Sequence, residues 1–181
     1  MNYELDIKKE LRASMNGILS ARMREAGMPF KLIFGVELPR LQSIANEFPK
    51  DKDLANLLWS QNIRETRLLA IMLMPQELFT SEVANTWAKS IVTAEEAQIL
   101  AMKLLPKTNH AKTTSLSWLK EGNNFSAICA CLCLRHLLLQ GIKLNTEEEE
   151  TIKDCLEKLQ PKANLHLRKA IQALTDALYT K

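Results

Sequence analysis

The sequence predicts an all-α protein, an α–α superhelix of stacked helix pairs in a single domain over residues 1–181. Three observations carry this. Nearly every stretch spaces its apolar residues at a helical period, and segment boundaries are marked by capping residues. Only 5 glycines and 6 prolines are available for tight turns, too few for an all-β fold. One layout also recurs: Trp59 precedes RLLAIMLM, Trp87 precedes AQILAMKLL, and Trp118 precedes AICACLCLRHLL, so the tryptophans lie 28 and 31 residues apart. Each unit is a helix, a short turn and a more apolar helix, and a fourth runs from CLEKLQ to RKAIQAL without the tryptophan. A lone pair of this kind cannot bury its apolar face, so neighbouring pairs must stack.

Taken in order, an N-terminal helical region occupies residues 1–26, with a helix from about Asp6 to Glu25 carrying Leu11, Met15, Ile18 and Leu19 on one face. GMPFKLIFGVELP reads as a loop closed by Pro39, a residue suited to a helix first turn. The repeats extend from about 39 to 179, with helices near 39–48, 51–60, 62–74, 80–91, 94–105, 111–121, 124–140, 147–160 and 162–179. Thr93 with Glu96 and Thr146 with Glu149 have the capping-box spacing. Glu147 to Glu150 then form a helix N-terminus stabilised by the macrodipole. The tryptophans are expected to pack between repeats. Arg64 and Arg67 open an apolar helix and are expected to mark an exposed end at the inner face or rim of the curve. The alternative is a salt bridge from Arg67 to Glu65 or to a neighbouring helix.

A net charge of +3 and a pI near 8.7 permit a nucleic-acid partner without demanding one. No apolar run approaches the roughly 20 residues of a membrane span, and the N-terminus lacks a signal-peptide core, so a cytoplasmic protein with no membrane partner is expected. On a helix Cys129 and Cys133 share a face while Cys131 points elsewhere. That trio and the isolated Cys155 read as core thiols in a reducing compartment, with no metal site and no cofactor. His110, His136 and His166 have no companion carboxylate at ligand spacing.

The stretch FGVELPRLQSIANEF, followed by DLANLLWSQNIRETRLLAIMLM, resembles the opening region of the HEAT-like-repeat DNA alkylation repair proteins, the alkylpurine DNA glycosylases. Gly35, Val36, Pro39, Leu58, Trp59, Arg64, Glu65, Arg67 and Ala70 match the family's Gly-Val, proline, Leu-Trp, Arg-Glu and Leu-Ala pattern. Arg168 to Ile171 are similar to its later Arg-Lys-Ala-Ile segment. The resemblance implies HEAT-like repeats whose concave face holds duplex DNA, and excision of an alkylated purine without a deep flipped-base pocket. An N-alkylated purine is already cationic and leaves readily. A carboxylate and aromatic faces then stabilise the oxocarbenium-like sugar.

Residue by residue, most of that machinery is missing. Where the family has Trp-Asp-x-x-Asp, this chain has IVTAEEA, Ile91 to Ala97, with Glu95 and Glu96 as the only carboxylates on offer. Where the family places an arginine pair before an Ala-Ile helix, Ser126 and Ala127 stand in NNFSAICA. Where it continues with Gly-Trp and a later arginine, Gln172, Ala173 and Asp176 stand instead.

Three readings of function stay open. The first is a DNA-binding relative that lacks catalysis or has an altered activity. Its candidate contacts with duplex DNA, alkylated or unmodified, are Arg64, Lys103, Lys107, Lys112, Lys120, Asn123, Asn124, Arg168 and Lys169. In this reading Asn123 and Asn124 open a helix whose amides face a phosphate. The second is an active alkylpurine glycosylase with a displaced carboxylate, Glu95 or Glu96. The third is a scaffold that binds a protein partner.

Overall fold

Helices begin where a side chain can satisfy their otherwise orphaned amides. Asn2, Asn16, Asp51, Thr80, Thr93, Asn123, Asn145 and Asn164 each accept an N–H from the first turn of the helix they precede. The computed structural model describes residues 2–180. Its helices are α1 Tyr3–Ala13, α2 Gly17–Glu25, α3 Leu38–Asn46, α4 Lys52–Trp59, α5 Arg64–Leu73, α6 Ser81–Ala88, α7 Ala94–Lys103, α8 Ala111–Glu121, α9 Asn124–Leu139, α10 Thr146–Leu159 and α11 Leu165–Tyr179. Among the described residues there is no sheet, only a parallel bridge between Leu32 and Ile63. The fold is an all-α helical repeat, as the periodicity predicts.

Three sequence expectations need correction. The helix expected from Asp6 to Glu25 is broken into α1 and α2, because Asn16 takes an extended backbone and its side chain caps α2 through Leu19 N. Met15 and Ile18, expected on one face of a continuous helix with Leu11 and Leu19, are 61% and 72% exposed beside this break, whereas Leu11 is buried. The second capping box sits one residue earlier than expected, on Asn145 and Glu148. The box on Thr93 and Glu96 is where the spacing places it.

The helices gather into two compact units, residues Met1–Leu78 and Phe79–Lys181. In the first, α5 packs against α4 and α3, and α1 packs against α4. In the second, α9 lies between α7 and α11, α8 packs across α9, and α10 packs on α8. Trp59 belongs to the first unit and Trp87 and Trp118 to the second. All three are buried near the end of the first helix of a pair.

Helix α9 is buried around most of its circumference, which encloses Cys129, Cys131 and Cys133 although they point in different directions. Burial pushes Cys131 and Cys133 up to about 12 and Cys129 well above its ordinary value. A thiol is reactive as thiolate. At pH 8 these three cysteines are therefore expected to resist a disulfide-exchange reagent until denaturant is added. Rapid labelling of any of them in the native protein would contradict this burial.

Candidate nucleic-acid interface

Arg64, Glu65 and Arg67 prove to be a lock inside the first unit. Glu65 is fully buried, and its carboxylate accepts the N–H groups of Phe34, Gly35 and Val36 at 3.0, 3.0 and 3.3 Å. Arg64 is 2% exposed; it pairs with Glu65 at 2.8 Å and donates to the Val36 carbonyl at 2.9 Å. The guanidinium of Arg67 lies 4.0 Å from the centroid of the Trp59 ring and donates to the Trp59 carbonyl at 3.2 Å. The expectation of an exposed end is thus overturned. The loop before α3 has no helix or sheet to satisfy its amides, so a buried carboxylate takes that role, and the arginine compensates its charge.

The other side of this loop is held by α2. Ser20 Oγ donates to the Ile33 carbonyl at 2.6 Å, and Asn16 N donates to the Phe34 carbonyl at 3.0 Å. Gly35 has a φ of +74°, and a Cβ there would lie 2.3 Å from Asn16 O. Glycine is therefore required twice over, for its backbone angle and for the close approach. The Gly-Val, Leu-Trp and Arg-Glu pattern is one structural device, and Arg64 has no free face to offer a phosphate.

The second unit distributes its charges between two edges. Lys112, at the start of α8, pairs with Glu148, at the start of α10, at 2.7 Å. These two helices therefore begin on the same edge. Their C-terminal ends meet at the opposite one, where Leu119 to Gly122 and Cys155 to Lys162 line a common cavity. The end of α6, at Asn85 to Lys89, joins that opposite edge by sharing a small cavity with Glu121, Asn123 and Ser126. Since α9 follows α8 after Gly122 and Asn123, and α11 follows α10 after a short turn, α9 and α11 start there too.

The sequence candidates divide accordingly. Lys103, Lys107 and Lys112 lie on the edge that also holds Glu147 to Glu150, and Lys112 is committed to Glu148. The Lys112 ammonium and the backbone amide of Asn145 hold the Glu148 carboxyl below its ordinary value. Lys120, Asn123, Asn124, Arg168 and Lys169 lie on the opposite edge. Asn123 is the cap of α9, its side chain accepting from Phe125 N and Ser126 N. Exposed Lys89, Lys158 and Lys162 join this second group, and sequence reasoning missed them. A signal was available, because Trp87-Ala88-Lys89 and Trp118-Leu119-Lys120 repeat a Trp-x-Lys pattern at equivalent helix ends.

The two candidate carboxylates differ in environment. Glu96 is 1% exposed and accepts from Val92 N and Thr93 N at 2.9 Å each and from Thr93 Oγ1 at 3.1 Å. It holds the start of α7. Glu95 is half-buried in the same first turn. Ser126 is buried, its hydroxyl donating to Asn123 O at 3.2 Å, and Gln172 donates to Asp176 at 2.7 Å.

A sequence profile of the family described as DNA alkylation repair enzyme matches residues 7–174. No curated protein sequence matches the chain. Its structure is similar, with a TM-score of 0.78 and 16% identity, to one described under "a new family of proteins related to the HEAT-like repeat DNA glycosylases with affinity for branched DNA structures". The match covers 98% of this chain and 76% of that one. At that identity the likeness is one of fold.

Proposed function

We propose that this chain, which belongs to the DNA alkylation repair enzyme family, binds DNA phosphates on one edge of its Phe79–Lys181 unit and does not excise bases by the family mechanism. The observation that carries the binding reading is the clustering of basic side chains on one edge. Lys89, Lys120, Lys158, Lys162, Arg168 and Lys169 gather there with Glu121 among them, while on the other edge Lys103, Lys107 and Lys112 share their surroundings with the run Glu147 to Glu150, which takes up Lys112 through Glu148. Phosphate contacts of this kind position DNA without reading its bases. A net charge of only +3 implies few of them, hence binding that is measurable at low ionic strength and fades near physiological salt. A four-way junction brings more phosphates within reach of one edge than a linear duplex does, and a structural relative is described as having affinity for branched DNA.

The inactive reading is supported by the local roles of the two carboxylates. Glu96 is committed to a helix cap, and Glu95 sits in a helix first turn without the tryptophan and second acid of the family pattern beside it in sequence. Losing one electrostatic stabiliser typically costs about 10²- to 10³-fold in rate. Purified protein incubated with methylated duplex is expected to release no 3-methyladenine or 7-methylguanine beyond the spontaneous rate. Release that disappears on Glu95→Ala would overturn this half of the proposal. Failure to bind either duplex or junction at low salt would overturn the other half and favour the protein scaffold.

A further inference from the structure

The cavity between the C-terminal ends of α8 and α10 has a volume of about 400 Å³, within the size range of small-ligand sites. Lys120, Lys158 and Lys162 stand around it, and all three are exposed. Among the described residues no acid pairs with any of them, in contrast to Lys112 on the other edge. Glu121 on the rim accepts a hydrogen bond from Ser117 at 3.4 Å. The floor is apolar, formed by buried Leu119, Leu159 and Cys155. Burial pushes the Cys155 thiol up; the Lys158 and Lys120 ammonium groups pull against that rise, and the Asp154 carboxylate adds to it.

Three ammonium groups around one cavity repel one another, and the Glu121 carboxylate and the C-terminal ends of α8 and α10 offset only part of that repulsion, which leaves net positive charge for an anion to meet. Dispersed surface lysines gain little from any single partner, whereas converging ones share a polyvalent anion. A lysine acts as a compact point charge with rotatable donors, and a phosphate offers several acceptor oxygens. We propose that this cavity is a phosphate-binding site in which Lys120, Lys158 and Lys162 together hold a single phosphate group of the DNA backbone, with the adjoining sugar resting on Leu119, Leu159 and Cys155. The source of the phosphate rests on the DNA-binding reading. The affinity of the cavity for phosphate does not.

Two measurements on the full chain separate these points. In the first, inorganic phosphate is titrated while backbone amide resonances are followed. Shifts that saturate and centre on residues 119–122 and 155–162 are expected, and they should be abolished in the triple variant Lys120→Ala, Lys158→Ala, Lys162→Ala. No shift, or an unsaturated drift spread over the whole chain, would overturn the site. In the second, duplex affinity is measured against salt. Each neutralised phosphate adds about 0.9 to the slope of log affinity on log salt. Three lysines holding one phosphate predict a fall of about one in the triple variant. A fall near three would mean that each lysine holds its own phosphate, and no fall would place DNA elsewhere; either result overturns the shared site. If the unmodified protein binds no DNA while phosphate still shifts the cavity resonances, the DNA-binding reading fails and the pocket stands as a site for free phosphate.

Discussion

Replacing Glu65 with alanine is expected to lower the stability of the protein by about 3 to 5 kcal/mol, the cost of breaking a buried ion pair by removing one partner. The carboxylate is completely enclosed and serves four donors: the amides of Phe34, Gly35 and Val36 and the guanidinium of Arg64. Alanine leaves an uncompensated charge and orphaned amides inside the first unit, and each unmet donor alone costs about 1 to 3 kcal/mol. Urea unfolding is the appropriate measurement, with the midpoint falling and the slope unchanged. The double variant Arg64→Met, Glu65→Gln should lose less than the sum of its single changes, because it removes both charges together. A loss below about 1 kcal/mol for Glu65→Ala would show that water reaches the loop and that the lock is not structural.

Trp118→Ala is expected to cost a similar amount, about 3 to 5 kcal/mol, as for other large aromatic deletions in cores. The side chain is 1% exposed, and its Nε1–H donates to Asn85 Oδ1 at 2.7 Å, tying α8 to α6. Trp118→Phe should recover most of the packing while losing that hydrogen bond, a difference of about 1 kcal/mol. A near-zero effect of the alanine change would mean that the indole is exposed in solution and available for another role.

Much of the fold was legible because its signals are local. Asn, Asp and Thr caps, the Thr93 and Glu96 box, and the 3.6-residue period need only a few neighbouring residues to be read, and they place α3 to α11 closely. The break at Asn16 escaped because the apolar period continues through Met15, Ile18 and Leu19, while what stops the helix is a distant loop: Asn16 N bonds to Phe34 O. The burial of Arg64 and Arg67, expected at an exposed end, escapes the sequence for the same reason. Charges at a helix start are normally solvated, and nothing within ten residues reveals that three loop amides some 30 positions earlier need an acceptor. The interface was half legible. Helix ends can be found from sequence, but which ends share an edge depends on α8 and α10 running alongside each other, fixed by Lys112 with Glu148 at one end and the shared cavity at the other.

In the proposed complex DNA is held by the edge bearing Lys89, Lys120, Lys158, Lys162, Arg168 and Lys169. The most direct test of that placement compares two double variants, one on each edge, by duplex affinity as a function of salt. Arg168→Ala with Lys169→Ala should weaken binding at low ionic strength and reduce the salt slope by up to about two, roughly 0.9 for each phosphate no longer neutralised. Lys103→Ala with Lys107→Ala, on the edge that carries Glu147 to Glu150, should leave affinity and slope close to those of the unmodified protein. The opposite pattern, with the weakening caused by the changes at Lys103 and Lys107, would contradict the account.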